Sequence, residues 1–312
     1  MTATAEHFHQ AVPTGELRYL IGVDGGGTRT RARLTDLDGK VLGEAESGPS
    51  GLGQGTDQAL ANTSEAITAT FRAAGLPLPP GYVCAVGMGL AGAGIRARAE
   101  DFMRRAHMYG ALRLDTDAFT ALIGAHQGRP GAILIAGTGS VGLARHADGR
   151  RVIVGGWGFP VGDEGAGAWL GLHALHIAHH ALDGRTPPGA LAEAVWALAG
   201  ADKDALLAFG AGANQNTYAQ LATAVFETAD ADTRASELLY AAAGALHQLV
   251  LAMDPQRGLP VAVLGSVGQR LQLLLPEATR LRCVAPAADA VTGALLMLRE
   301  ALPALDGARN PP

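Results

Sequence analysis

Two glycine-rich runs carry residue types that can hold phosphate groups. Asp24-Gly25-Gly26-Gly27-Thr28 and Gly137-Thr138-Gly139-Ser140 each follow a short apolar run. Glycine lets a ligand approach the main chain, whose N–H groups can then donate to phosphate oxygens. Taken alone, either run could be a plain tight turn between two strands. The predicted phosphate contacts, through N–H or hydroxyl groups, are Gly25, Gly26, Gly27, Thr28, Thr30, Gly137, Thr138, Gly139 and Ser140.

The acid at the start of the first run suits a metal ion that accompanies phosphates. Asp24 ends an apolar strand-like segment, so its carboxylate is expected at the carboxyl end of that strand. Mg²⁺ prefers oxygen ligands and loses its waters reluctantly, which favours a contact through water. Neither run is a Walker A loop, because no Gly-x-x-x-x-Gly-Lys-Ser/Thr sequence occurs in the chain. We therefore predict Asp24 as a partner of Mg²⁺, with no catalytic lysine after either run.

The two runs belong to a repeated pattern. Each is followed by a strand-like segment and then by an Asp-Gly pair, at Asp38-Gly39 and at Asp148-Gly149. Both the Gly-Thr pairs and the Asp-Gly pairs recur 110 residues later in the chain. Asp-Gly between two strand-like segments predicts a tight hairpin. The repeat therefore predicts two duplicated α/β halves that face each other.

The chain length supports two domains rather than one. Single cores usually stop growing near 250 to 300 residues, and this chain has 312. We predict a flexible N-terminal tail over residues 1–16, an N-terminal domain over 17–118 and a C-terminal domain over 119–312. The last helix, about 289–301 with Asp289 as its N-cap, is expected to pack back on the N-terminal domain.

The overall composition argues against several classes of partner. A net charge of −5 lacks the basic excess of a nucleic-acid binder. No apolar stretch approaches the length of a membrane span, and residues 1–17 lack the apolar core of a signal peptide. Cys84 and Cys283 are the only cysteines, far apart and within apolar runs, which argues against a disulfide framework. We expect a cytoplasmic protein with no nucleic-acid or membrane partner.

Three segments resemble the motifs of a known superfamily. Residues 21–28, 134–140 and 263–268 resemble the phosphate 1, phosphate 2 and adenosine motifs of the actin-like ATPases. In order and spacing they are most similar to the N-acetylglucosamine and glucosamine kinases of the BadF/BadG/BcrA/BcrD ATPase family, over about residues 17–298. The third motif adds Gly265, Ser266 and Gly268 as expected contacts of the adenosine part of ATP.

This resemblance implies a fold and a reaction. The implied fold class is α/β, with duplicated actin-like (ribonuclease H-like) domains, each a mixed five-stranded sheet flanked by helices, and a cleft between them. The implied activity is phosphoryl transfer from ATP, with Mg²⁺, to a hydroxyl of a small-molecule amino sugar, the 6-hydroxyl of N-acetylglucosamine or glucosamine. A homodimer is also implied.

The same resemblance assigns a catalytic base. Phosphoryl transfer needs a carboxylate that accepts the proton of the attacking hydroxyl. Asp117-Ala118 matches the Asp-Ala signature of these kinases, which makes Asp117 the expected base. Asp115, two residues earlier, should point to the other side of an extended segment, so we assign it a structural role. A plain N-cap is the alternative for Asp117.

A second glycine-rich segment, residues 155–165, is the expected sugar pocket. By resemblance, Gly156, Trp157 and Asp163 contact the sugar, together with Asp117 and Thr138, whereas the alternative for the acids at its end is a helix cap. One position departs from the family, because Gly51 stands where these kinases commonly carry an asparagine that touches the sugar. The choice of sugar is therefore open.

Other readings of the sequence are weaker. The resemblance to this family also allows an ATPase activator of a CoA-ester reductase or dehydratase. Such a protein needs clustered cysteines to hold an iron–sulfur cluster. A sugar-sensing repressor needs an added DNA-binding domain, for which the residues before the first strand are too few. Four histidines recur at helical spacing, at His173, His176, His179 and His180. We expect them to form a solvated helix face rather than a metal site.

Overall fold

The strands of this chain form two separate sheets, and the helices lie between groups of strands in the sequence. The computed structural model describes residues 7–10 and 16–302. The strands are β1 His7–Gln10, β2 Tyr19–Gly25, β3 Thr30–Thr35, β4 Val41–Ser47, β5 Cys84–Leu90, β6 Ala111–Asp115, β7 Gly131–Ala136, β8 Ser140–Arg145, β9 Arg151–Gly155, β10 Val261–Leu264 and β11 Cys283–Val284. The helices are α1 Thr56–Ala73, α2 Arg96–Arg105, α3 Asp117–His126, α4 Gly167–Leu182, α5 Ala190–Ala199, α6 Lys203–Gly212, α7 Gln215–Gln220, α8 Ala222–Thr228, α9 Thr233–Met253, α10 Ser266–Leu271, α11 Glu277–Arg280 and α12 Ala290–Ala301.

The two sheets share one topology. The first has the order β1-β6-β5-β2-β3-β4 and the second β11-β10-β7-β8-β9. In each, three consecutive strands pair antiparallel, and the first of them also pairs parallel with a strand much later in the chain. A further parallel strand completes each five-stranded core. The predicted α/β duplication with mixed five-stranded sheets is therefore confirmed, and β1 adds a sixth strand to the first sheet.

The chain divides into two compact units. Unit 1 comprises residues up to Pro130 together with those from Pro286 onward, and unit 2 comprises Gly131–Ala285. The division lies after α3, whereas the sequence prediction placed it after residue 118, within the first turn of this helix. The reason is that α3 packs closely on β5, where a Cβ at Gly89 would lie 2.0 Å from Oγ1 of Thr120.

Helix α12 belongs to unit 1, where it lies against the first sheet. Cβ atoms added at Gly22 and Gly87 would lie 2.4 and 2.2 Å from carbonyl oxygens of α12. The predicted N-cap of this helix is confirmed, since Oδ1 of Asp289 accepts the N–H of Thr292 at 2.9 Å. Small residues on β2 and β5 thus let the helix approach, and Leu295 and Leu298 of α12 complete the core on that face.

Part of the expected N-terminal tail is a strand instead. Residues His7–Gln10 pair antiparallel with β6, from His7 opposite Leu114 to Gln10 opposite Ala111. A four-residue edge strand carries little hydrophobic signal of its own, and its hydrogen bonds depend on a partner about 100 residues away. The remainder of the predicted tail, except for its last residue, lies outside the described residues.

Each unit has its own core. In unit 1, β2 alternates so that Ile21 and Val23 face one side of the sheet, where Phe71 and Phe102 are also fully buried. In unit 2, helices α4 and α9 bury mainly alanine and leucine against β7 and β8. Of the helices that the structure describes, none is both long and apolar enough to cross a membrane.

Candidate functional site

The first glycine-rich run forms the turn between β2 and β3. Its base is fixed by main-chain hydrogen bonds, since the Gly26 N–H donates to the Arg29 carbonyl at 3.0 Å. The N–H groups of Ser50 and Gly51 donate to the Gly26 carbonyl at 3.1 and 3.0 Å. Gly27 and Thr28 are exposed at the tip. The turn is therefore held from behind while its tip stays open to a ligand.

Among the described residues of unit 1, no contact explains why the tip carries glycine. Neither Gly26 nor Gly27 has a positive φ. A Cβ added at Gly26 would come no closer than 3.9 Å to another atom, and one at Gly27 no closer than 3.7 Å. Free space in front of an unshielded main chain is the arrangement that suits a phosphate group.

Thr30 takes part in holding the turn. It is fully buried, and its Oγ1 lies 2.6 Å from the Gly48 carbonyl oxygen and 2.7 Å from Oγ of Ser50. A hydroxyl that donates to Gly48 and accepts from Ser50 has its hydrogen-bonding capacity engaged. The structure thus favours a supporting role for Thr30 over the predicted direct phosphate contact, because the segment after β4 covers its side chain.

Asp24 is partly exposed and paired with an arginine of the next strand. Oδ2 of Asp24 accepts from both Nε and Nη2 of Arg31, at 3.2 and 2.7 Å. Oδ1 of Asp24 is not engaged by Arg31, so this carboxylate retains an oxygen that fits Mg²⁺ held through water. Within residues 16–302, no group of three or more His, Cys, Asp or Glu side chains is arranged to hold a metal ion.

Asp117 lies on the same edge of the sheet as the first turn. Gly25 is in register with Leu90, and Gly89 with Asp115, so the carboxyl ends of β2, β5 and β6 lie side by side. Asp117 follows β6 as the first residue of α3. In α/β sheets, ligand-binding side chains commonly lie at the carboxyl ends of the parallel strands.

The N-cap alternative for Asp117 is wrong, because Thr116 caps the helix. Oγ1 of Thr116 accepts the Phe119 N–H at 3.1 Å. Oδ1 of Asp117 accepts the Ala118 N–H at 2.9 Å, which leaves Oδ2 outside that bond. Burial raises the pKa of the Asp117 carboxyl, the Ala118 N–H opposes this rise, and the charge of Asp24 adds to it. Asp115 is buried at the end of β6, and its Oδ1 accepts the Thr116 N–H at 2.8 Å.

The second glycine-rich run forms the turn between β7 and β8 in unit 2. The carbonyl oxygens of Gly137 and Thr138 accept the N–H groups of Gly167 and Ala168 at 2.8 and 3.0 Å. These donors are the first residues of α4, so the turn also caps that helix. Thr138 is exposed, and a Cβ added at Gly137 would meet nothing within 4 Å. This turn, like the first, is held from behind and open in front.

Ser140 repeats the arrangement of Thr30. Each is the first residue of the strand that follows its glycine-rich turn, β3 for Thr30 and β8 for Ser140, and each is buried. Oγ of Ser140 donates to the Glu164 carbonyl at 2.9 Å, which ties the turn to the segment after β9. The hydroxyl of Ser140 is therefore engaged within unit 2, and its predicted phosphate contact is less favoured than that of Thr138.

Asp163 is more deeply buried than a residue that a sugar could reach freely. It is 4% exposed, with a positive φ of 63°. Its Oδ1 accepts the Ser140 N–H at 3.0 Å, and its Oδ2 accepts Nε2 of Gln215 at 2.6 Å. Gly139 makes room for this carboxylate, because a Cβ there would lie 2.7 Å from Oδ2. Sequence reasoning missed Gln215, since nothing local in the sequence indicates a partner 52 residues away.

The other predicted sugar contacts lie on an open loop. Trp157 is 76% exposed, and Gly156 has a positive φ of 70°. Between them and Asp163, the Gly162 N–H donates to the Gly158 carbonyl at 2.8 Å. An exposed indole beside glycine backbone is available to lie against a pyranose ring.

The third motif lies next to the second turn. Leu264 of β10 is in register with Ile135 of β7, which places the start of α10 beside Gly137. Gly265 has a φ of 84°, and a Cβ there would lie 2.3 Å from the Ala136 carbonyl oxygen. Ser266 is exposed, whereas Gly268 is buried against Val263. Gly265 is thus required by the backbone and by packing, Gly268 fits closely against Val263, and Ser266 is the exposed member of this motif.

The histidine cluster lies along α4. Successive imidazole ring centroids of the four residues are 5.8, 5.7 and 4.5 Å apart, in edge-to-face arrangements. His176 is exposed, the other three are partly exposed, and Nδ1 of His173 lies 2.8 Å from the Trp169 carbonyl oxygen.

Comparison with known proteins gives consistent matches. The model of the BadF/BadG/BcrA/BcrD ATPase family matches residues 21–297. The glucosamine kinase GspK of Vibrio cholerae serotype O1 is 35% identical over 281 residues, covering 90% of this chain and 95% of that protein. An N-acetylmuramic acid/N-acetylglucosamine kinase of Clostridium acetobutylicum is 35% identical over 173 residues, covering 54% of this chain and 56% of that protein.

A solved structure extends the likeness to three dimensions. The crystal structure of a candidate N-acetylglucosamine kinase from Chromobacterium violaceum aligns with a TM-score of 0.84 at 44% sequence identity. The alignment covers 91% of this chain and 99% of that one. Both units are therefore represented in this relative.

Proposed function

We propose that this chain, which belongs to the BadF/BadG/BcrA/BcrD ATPase family, is an ATP-dependent amino-sugar kinase. The acceptor that we propose is the 6-hydroxyl of glucosamine or N-acetylglucosamine, and the donor is the γ-phosphoryl group of Mg·ATP. The kinase names of relatives at 35% identity support this reaction class. The observation that carries the proposal within this chain is Asp117, a partly buried carboxylate with a raised pKa on the same sheet edge as the first phosphate turn.

Each unit supplies a distinct part of the proposed chemistry. In unit 1, Asp117 accepts the proton of the attacking hydroxyl, and the N–H groups at Gly27 and Thr28 face a phosphate. In unit 2, the turn at Gly137 and Thr138 offers a second set of phosphate donors. Mg²⁺, held through water by Asp24, would neutralise phosphate charge when bound.

Steady-state kinetics with Mg·ATP and a panel of hexoses tests the proposal. We expect turnover with glucosamine and N-acetylglucosamine, and phosphate on the 6-hydroxyl of the product by NMR. A protein that hydrolyses ATP on its own and phosphorylates no amino sugar would contradict the proposal and favour the ATPase-activator function.

The cysteines do not support that alternative function. Cys84 lies in unit 1, where burial raises the pKa of its thiol to about 12, and Cys283 lies in unit 2. Cluster-binding cysteines act as thiolates and occur in groups. The homodimer and the cytoplasmic location remain predictions from the sequence.

The pH dependence of turnover should show the raised pKa of Asp117. The base must be ionised to accept a proton, so kcat/KM for the sugar should fall as pH decreases through a pKa above the ordinary aspartate value of about 3.9. A pH–rate profile with Mg·ATP saturating measures this acidic limb. A profile that stays flat down to the ordinary aspartate range would contradict the assignment.

Because Gly51 replaces an asparagine, the enzyme should discriminate weakly between amino sugars that differ in the substituent at C2. A missing polar contact predicts turnover of both amino sugars, with kcat/KM values that differ by less than about 10³-fold. Gly51→Asn should raise selectivity for one of them by about 10-fold, since a hydrogen bond contributes about 1 kcal/mol or more. The backbone permits this change, because φ is −61° and a Cβ would lie 3.5 Å or more from its neighbours.

The same kinetics on Gly53→Asn serve as the control for Gly51→Asn. Gly53 lies in the same short segment but is exposed. Equal selectivity of the wild type and Gly51→Asn would contradict a sugar contact at position 51.

A further inference from the structure

A short helix without an assigned role holds the proposed sugar loop. Gln215 is the first residue of α7, and its Nε2 donates to Oδ2 of Asp163 at 2.6 Å. The other oxygen of Asp163 accepts the Ser140 N–H at 3.0 Å. Because Asp163 is almost fully buried, the carboxylate is fixed between the phosphate turn of unit 2 and α7.

A second contact joins the same helix to the same loop. The ring of Tyr218, one turn after Gln215, lies 5.0 Å from the ring of Phe159, centroid to centroid, at an interplanar angle of 42°. Tyr218 also meets Phe209 edge to face at 6.0 Å. The loop that carries these contacts, residues 155–165, contains glycines with positive φ at Gly155, Gly156, Gly158 and Gly165, so it has little rigidity of its own.

Helix α7 is itself firmly placed. Asn214 caps it, with its Oδ1 accepting the Thr217 N–H at 3.1 Å. The carbonyl of Tyr218 packs on α4, where a Cβ at Gly171 would lie 1.8 Å from that oxygen. Since α4 also donates its first N–H groups to the turn at Gly137, one helix supports both the phosphate turn and α7.

We propose that Gln215 is a positioning residue for amino-sugar binding. It holds the carboxylate of Asp163, and through it the loop that carries Trp157, in the place where the sugar binds. Each carboxylate oxygen accepts more than one hydrogen bond, so Asp163 can be held by Gln215 and still accept a sugar hydroxyl. The inference rests on the proposed function and deepens it, because it adds a residue of α7 to the sugar site.

Gln215→Leu tests this role in the full-length protein. Removing the amide leaves the Asp163 carboxylate without one donor, so KM for the amino sugar should rise about 10-fold or more. KM for ATP should change less than about threefold. Gln215→Glu keeps the shape but sets a second carboxylate beside Asp163, and its KM for the sugar should rise further.

Gln220→Leu is the matched control. It makes the same change on the last residue of α7, where the side chain is exposed. We expect its KM values to equal those of the wild type. An unchanged sugar KM in Gln215→Leu, or an equal rise in both variants, would overturn the proposal.

Hydrogen exchange separates the positioning role from the proposed reaction. Without any sugar, Gln215→Leu should exchange the amides of residues 155–165 faster than the wild type, and Gln220→Leu should not. Unchanged exchange would overturn the anchoring of the loop even if sugar kinetics were altered. Faster exchange in a protein that phosphorylates no amino sugar would overturn the proposed function while retaining the anchoring by Gln215.

Discussion

Asp117→Asn should lower kcat by about 10²- to 10⁴-fold, the usual contribution of a general base. Asparagine keeps the shape of the side chain and can still accept the Ala118 N–H, so α3 should remain intact. It cannot take up the proton of the sugar hydroxyl. KM for ATP should change little, because no phosphate contact is removed. Steady-state kinetics at saturating sugar and ATP measure the effect.

Asp57→Asn is the control for this substitution. Asp57 also lies in the first turn of a helix of unit 1, but its side chain is 90% exposed. Asp57→Asn removes a negative charge from a helix N-terminus, together with an exposed ion pair to Arg105, and therefore reports the general effect of losing such a charge. An Asp117→Asn protein that keeps most of its kcat would contradict the assignment of Asp117 as the base. The residual activity should also lack the acidic limb of the wild-type pH profile.

Gly137→Val should lower kcat/KM for ATP by about 10²-fold. A valine side chain would occupy the open space in front of the turn, from which a phosphate has to approach the main chain. Losing one such donor in a transition state costs about 10² to 10³ in rate. Folding should be retained, because φ of Gly137 is not positive and its Cβ would meet nothing within 4 Å.

Gly258→Val provides the matched comparison for Gly137→Val. Gly258 is also without a neighbour within 4 Å of an added Cβ, but it lies before β10, away from the turn. Thermal unfolding of both variants checks that each is folded, and steady-state kinetics with varied ATP compare their kcat/KM values. A Gly137→Val protein with the wild-type kcat/KM for ATP would contradict a phosphate site at this turn.

Local sequence was sufficient for much of the fold and for the position of the turns and helix that carry the candidate site. The glycine runs, the Asp-Gly turns and the repeat between them depend on residues close together in the chain, and the duplicated sheets follow from them. Asp117 at the start of a helix after an apolar strand is also a local pattern. These features could be predicted because main-chain geometry and capping are decided within a few residues.

Domain boundaries depended on packing between distant segments. Helix α12 joins unit 1 because Asp289 pairs with Arg33, 256 residues earlier, and because glycines on β2 and β5 admit the helix. Helix α3 packs against α12 and belongs to the same unit, so the division between the units lies after residue 130. No local pattern shows which sheet such a helix covers.

The sequence alone determined where the two glycine-rich turns and the candidate base stand, because those depend on residue type and local geometry. Only the tertiary structure decided which polar side chains are engaged by partners within the protein and which stay exposed to solvent. Thr30 reaches a carbonyl 18 residues away, Ser140 one 24 residues away and Asp163 an amide 52 residues away. A buried polar group must find a partner, and folding brings that partner from a distant part of the chain. Residues of the same type thus lie exposed at the tips of the turns or serve as buried internal supports behind them.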